Sequence, residues 1–542
     1  MMSSRSFFSL ILLIFLSCLL ASTNAQEGTE CSASLPCKVG CCSKFGFCGF
    51  GADYCSKSVC TNNCDRKAEC DPGGFGKDYV NKTTCPLNVC CSKHGFCGTT
   101  EEFCGNKKVS RPSCTVDNSS KFKRVVGYYE TWSASRSCNR FYPEQIPRGV
   151  YSHINIAFAS INPTTFEIVP AKKEDLEMYK RVSALKAKDP NLKVLIAVGG
   201  WTFNDPGPTA TTFSDIARSA SAQKKFFDST IKMLETYDLD GIDLDWEYPE
   251  ADDRSGRPED FANFPKFMKS LKAALKKYEV SITLPASYWY LQHFDLKALS
   301  PHVDFFNMMT YDFHGVWDKP NEFVGPYLNS HTNLTEIKGG LDLLWRNGVD
   351  KDKVTLGLAF YGRGFIASSS SCMSPGCTYE SGTYAQACSA EVGVALNSEI
   401  DQLVSEQGAK ATLNKDAAVK IVTRGGNNWL TFDDEETLRL KADYARSLCL
   451  GGVMVWAISH DTRAGKYSMA LSRVAPRLFT SEMATEEDDG YVTDVEEHKQ
   501  CRWTNCEENC PSDWTRMMRS GPGAGKNEYM VNGAGCGGRG EQ

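Results

Sequence analysis

The run Asp240-Gly241-Ile242-Asp243-Leu244-Asp245-Trp246-Glu247-Tyr248-Pro249 sets three carboxylates at alternate positions among apolar residues. Alternate side chains of a strand share a face, so Asp243, Asp245 and Glu247 are expected to point the same way, about 6–7 Å apart along the backbone. Like charges that close push at least one pKa upward, which lets a carboxylic acid keep its proton near neutral pH. Glu247 is last in the row, beside Pro249 where a strand should end, and reads as a general acid at the strand mouth. A solvated acidic turn or a calcium loop are the bland alternatives. The interleaved Ile242, Leu244 and Trp246, and the lack of an Asp-x-Asp-x-Asp-Gly spacing, argue against both.

Elements to hold such a row follow from the chain on either side. β-Branched runs predict strands over 125–129, 153–159, 193–200, 240–247, 280–287, 303–312, 354–362 and 451–459. Helical spacing of Phe267, Leu271 and Leu275 predicts a helix over 265–278, and Ile337, Leu341 and Leu344 one over 334–347. Strand alternating with helix eight times predicts an α/β fold, a (β/α)8 TIM barrel, whose active site collects at the C-terminal strand ends. The long stretch between strands seven and eight, with Cys372, Cys377, Cys388 and Trp429–Asp434, predicts a small α+β insertion over about 363–450.

The acid row resembles the signature of glycoside hydrolase family 18, the chitinases, whose Asp-x-x-Asp-x-Asp-x-Glu pattern is matched in full. The resemblance implies substrate-assisted, retaining hydrolysis of β-1,4-linked N-acetylglucosamine polymers without metal or cofactor. By it, Glu247 protonates the glycosidic oxygen while the substrate's acetamido oxygen attacks the anomeric carbon. Asp245 steadies the acetamide, Asp243 shares a proton with Asp245, and Tyr311 holds the carbonyl oxygen. Asp312 orients the N-acetyl group, Trp456 floors the cleavage subsite, and Trp201 and Trp317 lie on the leaving-group side. Tyr128, Phe158, Gly200 and Met309, also near strand ends, complete the substrate-binding positions. One departure stands out: family members commonly carry Ser before the Gly-Gly of strand three, and this chain has Ala197. A hydrogen-bond donor to Asp243 is therefore expected to be missing.

At the N-terminus, Arg5 and the apolar run 7–20, followed by small residues to Ala25, read as a secretory signal too short to span a bilayer. Twenty-five cysteines fit an oxidising compartment. Cys31, Cys37, Cys41, Cys42, Cys48, Cys55, Cys60 and Cys64 form a knot held by cross-links rather than a core, four disulfides being the natural reading. A second copy follows, in which Cys90, Cys91, Cys97 and Cys104 stand among seven cysteines; its odd thiol is expected to pair with Cys138 or another barrel cysteine. A knot this small displays its rings, and N-acetylglucosamine stacks on flat aromatic faces. Both copies resemble hevein-type chitin-binding modules. The family's contact positions fall on Ser43, Phe45, Phe47 and Tyr54 in the first copy and on Ser92, His94, Phe96 and Phe103 in the second. His94 breaks the second platform, which makes that copy the poorer binder.

The expected organisation is a signal over 1–25, modules over 26–66 and 67–117, a catalytic barrel over 118–480, an acidic linker over 481–500 and a Cys/Gly-rich tail over 501–542. The tail resembles the region after the barrel in fungal chitinases related to yeast killer-toxin subunits. Sequons at Asn81, Asn118 and Asn333 allow glycosylation. A net charge of −6 and no basic run exclude nothing but a nucleic-acid partner. The expected product is a secreted, monomeric enzyme, extracellular or wall-bound, that meets chitin and its oligosaccharides and no membrane once mature. An endo-N-acetylglucosaminidase acting on glycoproteins, a chitin-docking toxin subunit and a non-catalytic chitin lectin are the rival readings.

Overall fold

A computed structural model describes residues 30–115, 120–405 and 408–478. The signal, the Asn118 sequon, the acidic linker and the tail lie outside these residues. The chain divides into two units, residues 1–109 and 110–542.

In the second unit eight parallel strands close on themselves: β1 (Arg124–Glu130), β2 (His153–Ile161), β3 (Lys193–Gly199), β4 (Gly241–Asp245), β5 (Glu279–Pro285), β6 (Phe305–Met309), β7 (Val354–Ala359) and β8 (Gly452–Trp456). β8 pairs back onto β1, so the expected TIM barrel is present. Its outer layer includes helices Ala220–Thr236, Asp260–Ala274 and Leu334–Arg346. The second of these starts five residues before Pro265. The Asp260 carboxylate accepts from the Arg257 N–H at 2.7 Å and from the Ser214 hydroxyl at 2.6 Å, and this anchors the earlier start. Asn333 caps the third helix by accepting from the Thr335 N–H at 2.9 Å.

Six of the eight strands, β3 to β8, end sooner than expected at the C-terminal mouth, where the chain leaves the sheet for loops, while β1 and β2 run one and two residues further. β4 stops at Asp245, so Glu247 stands just beyond it; β6 stops at Met309, so Tyr311 and Asp312 follow it. The break at β4 has a local cause. The Asp245 carbonyl is taken by the Gly200 N–H at 2.9 Å, and Trp246 turns outward onto Phe213 and Phe264, with centroids 5.5 and 5.0 Å away. Gly200 holds φ +85°, and a Cβ there would stand 2.7 Å from the Phe158 ring, so only glycine lets this loop pass.

The insertion between β7 and β8 carries antiparallel strands, among them Tyr361–Ala367, Val419–Arg424 and Asn428–Phe432, and helix Asn397–Ser405. It is the expected α+β subdomain, built around buried Trp429, Phe365 and Tyr379. Cys138 pairs with Cys388, tying this subdomain to the loop after β1, and Cys372 pairs with Cys377. Cys114, the odd cysteine of the second repeat, pairs with Cys449 ahead of β8. Residues 110–115 thus run along the barrel, where Arg111 also pairs with Asp342 at 2.7 Å. Among the described residues no helix is long and apolar enough to cross a membrane.

Candidate active site

Asp243 sits mid-β4, in register with Ala197 of β3 and Ser281 of β5. Its carboxylate accepts from the Tyr128 phenol at 2.6 Å, the Ser281 hydroxyl at 2.6 Å and the Asn307 amide at 3.1 Å. Asn307 is oriented in turn by the Thr355 hydroxyl, which donates to its carbonyl at 2.8 Å. The expected shortage of donors is therefore not found: Ser281, on the opposite neighbour strand, supplies the hydroxyl that Ala197 lacks. Burial still outweighs these bonds and raises the Asp243 pKa.

Asp245 accepts from the Thr283 hydroxyl at 2.5 Å. Burial first, and then the neighbouring Glu247 charge, lift its pKa well above the carboxylate range. Glu247 is also buried, and that burial raises its pKa to about 7 against the Tyr248 phenol and the Arg254 charge, which both lower it. Repulsion within the row, the cause read from the spacing, ranks behind burial for every member. The chemistry available is that of a carboxylic acid still protonated near neutral pH at the mouth of a barrel.

Around that acid stand Tyr311 and a sequence of aromatic faces. Tyr311 is fenced by Asp245, Asp312 and Glu247, and burial holds its phenol well above the usual range. Asp312 is less free than a bare acceptor: Arg363 grips both its oxygens at 2.6 and 2.9 Å, and the Tyr361 phenol donates at 2.6 Å. The Arg363 charge, with the neighbouring His331, holds its pKa far below the usual carboxylate range despite burial. Trp456 stacks on Phe158 at 5.6 Å and leans on Tyr128 at 5.4 Å, and Met309 and Tyr311 pack against the same cluster. Trp201 and Trp317 are about half exposed, each with a guanidinium on its ring: Arg254 at 3.7 Å and Arg363 at 4.5 Å.

Residues 124–461 match the family described as glycosyl hydrolases family 18, which is more than half of the chain. The chain belongs to glycosyl hydrolase family 18. Among curated relatives, the secreted chitinase LysM12 of Penicillium expansum is 31% identical over 78% of this chain and 27% of its own length. The killer toxin subunits alpha/beta of Kluyveromyces lactis are 33% identical over 65% of this chain and 27% of their own length. This chain thus spans about a quarter of the length of those two relatives. Catalytic domain 2 of the Ostrinia furnacalis Group II chitinase superposes with a TM-score of 0.57 at 29% identity, covering 65% of this chain and 96% of that one.

Residues 75–114 match the family described as chitin recognition protein, and they fall on the second repeat. In the first repeat the pairs are Cys31–Cys42, Cys37–Cys48, Cys41–Cys55 and Cys60–Cys64; in the second, Cys70–Cys91, Cys85–Cys97 and Cys90–Cys104. Phe45 and Phe47 are 68% and 53% exposed, while Tyr54, the third expected ring, is half-buried. Tyr54 lies flat on Gly49, and Phe103 repeats this on Gly98. The hydroxyls of Ser43 and Ser92 accept from the Phe47 and Phe96 N–H groups. Phe96 differs from Phe47 in its surroundings: Phe50 of the first copy meets it edge-on at 5.1 Å. Phe75 wedges between Gly51 and Gly95, where any Cβ would stand 2.9 Å from its ring. The two knots are therefore joined through aromatic rings.

Several site residues escaped the reading of the sequence. Ser281 and Thr283 alternate with apolar residues along β5, and Asn307 is the one polar residue of β6; that polarity was their signal. Trp132, just after β1, stacks on Phe158 at 6.2 Å and is 38% exposed, extending the Trp456–Phe158 row.

Proposed function

We propose that the chain is a secreted chitinase that cleaves β-1,4-linked N-acetylglucosamine polymers with retention of configuration, its chitin-binding modules holding it on the polymer. One observation carries the reading: a buried carboxylic acid, Glu247, stands just past the end of β4, beside aromatic faces suited to pyranose rings. Glu247 gives its proton to the glycosidic oxygen as the bond to the anomeric carbon breaks. The nucleophile is the substrate's own acetamido oxygen. Asp245, whose pKa burial raises, steadies the acetamide and shares a proton with Asp243 as charge develops. Tyr311 donates to the acetamide carbonyl, and Glu247 then takes a proton from the incoming water. Trp456 lies beneath the cleaved sugar, with Phe158 behind it, while Trp201 and Trp317 receive the departing end. Gly200 and Met309 line the same mouth, and Asp312, pinned by Arg363, orients the N-acetyl group. The boundaries read from the sequence are proposed as the domain limits, with the signal removed after Ala25.

The test is incubation with chitin oligomers and with an N-glycoprotein side by side. Oligomer cleavage with the glycoprotein untouched is the expected result. Release of the glycan instead would favour the endo-N-acetylglucosaminidase reading, and binding without cleavage the lectin or toxin-subunit one.

A further inference from the structure

Just past Glu247 the chain enters a short turn, Asp252–Arg254, and sends one side chain back beneath the acid. Arg254 is only 5% exposed. Its Nε–H donates to the Glu247 carbonyl at 2.9 Å, one Nη to the Asp205 carboxylate at 2.9 Å, and the other Nη to the Trp201 carbonyl. The guanidinium plane also covers one face of the Trp201 indole at 3.7 Å. All four contacts use the planar fork, which a lysine cannot reproduce.

We propose that Arg254 is a positioning residue that fastens the Trp201 platform to the Glu247 segment, so that the ring receiving the departing sugar and the proton donor keep one fixed geometry. The inference rests on the chitinase reading for what Trp201 and Glu247 do. The loops after β3 and β4 also meet through the Gly200–Asp245 backbone bond at 2.9 Å and the edge-on Trp201–Tyr248 contact at 6.5 Å, and the Arg254 fork adds one group that grips both the Trp201 and Glu247 carbonyls. Misplacement of about 1 Å is enough to cost roughly 10²-fold in rate. Arg254 is also the cation facing Glu247. The other groups facing it are Asp245 from β4, Tyr248 from its own segment, Asp205 after β3, Tyr290 after β5, and Tyr311 and Asp312 after β6.

Kinetics on oligomers of increasing length, across pH, test this with wild type, Arg254→Lys, Arg254→Met and Asp205→Asn. Without the cation, Arg254→Met should move the basic limb of kcat upward by about 0.5–1 pH unit, and Asp205→Asn, which removes an anion, should move it down. Arg254→Lys should keep the limb, yet raise KM several-fold for oligomers that reach past the cleavage point and little for a short aryl glycoside. Unmoved limbs, or KM rises independent of length, would overturn the proposal. A misfolded Arg254 variant leaves Asp205→Asn, whose side chain is 44% exposed, to decide by its limb. Wild type inactive on chitin oligomers would overturn the chitinase reading instead. In that event N-bromosuccinimide oxidation mapped to Trp201 decides, since Arg254→Met uncovers a ring face and should speed it several-fold. Equal oxidation would sink the proposal.

Discussion

At the scale of the residue, the acid row is costly to the fold. Glu247 has its pKa raised from 4.5 to about 7, so its contribution to stability is fully present below 4.5 and is lost as pH rises through 7. Glu247→Gln should therefore melt higher than wild type, by more at pH 8 than at pH 5, on the order of 1–3 kcal/mol at the higher pH. Melting curves that coincide at both pH values would contradict this. The same titration makes wild-type kcat fall above about pH 7, read from a pH–rate profile. Asp243 yields a second contrast. Ala197→Ser adds a donor to a carboxylate that already accepts from Tyr128, Ser281 and Asn307, so turnover should change less than about twofold. Ser281→Ala removes a bond to a charged group and should slow turnover by roughly tenfold, about 1–3 kcal/mol. A large gain from Ala197→Ser would mean that Asp243 is short of donors after all.

Elements explain which parts were legible in the chain. The period of two in β4 exposed Asp243, Asp245 and Glu247 as one row, because side-chain direction on a strand is a local property. Ser281, Thr283 and Asn307 were silent, since a polar residue in an apolar strand gains its meaning only when barrel closure brings β5 and β6 alongside. Arg254 and Arg363 were silent for a related reason: their ring and carboxylate partners lie on other loops. The strand ends at Glu247 and Asp312 were overrun because the apolar pattern continues past the last ladder bond. In the small knots the repeat was plain, but the joint between them was not, because Phe50 and Phe75 fall outside the repeated motif. That joint leads to a test. Phe47→Ala, taking away an open ring, should weaken binding to chitin beads by about three- to tenfold. Phe96→Ala should cost little binding and instead lower the melting temperature of the knots. Equal loss of binding from both would show the second copy to be a working platform.

For the whole molecule, the proposed function has the modules act where the substrate is an extended surface. Effective concentration gains nothing on a soluble oligomer that diffuses to the barrel by itself. Deleting residues 26–109 should therefore lower activity on insoluble chitin severalfold more than on short oligomers. The cut belongs before Ser110, because Cys114 pairs with Cys449 and a longer deletion would orphan a barrel cysteine. Equal losses on both substrates would assign the modules to folding rather than to targeting.

In the proposed mechanism Glu247 is the acid of substrate-assisted chitin cleavage. Time-resolved proton NMR of a chitin hexamer, with wild type and Glu247→Gln in parallel, tests it most directly. Wild type is expected to release the β-anomer first, before mutarotation, and Glu247→Gln at least about 10²-fold less product while still binding the oligomer. An initial α-anomer, or a Glu247→Gln rate within a few-fold of wild type, would contradict it.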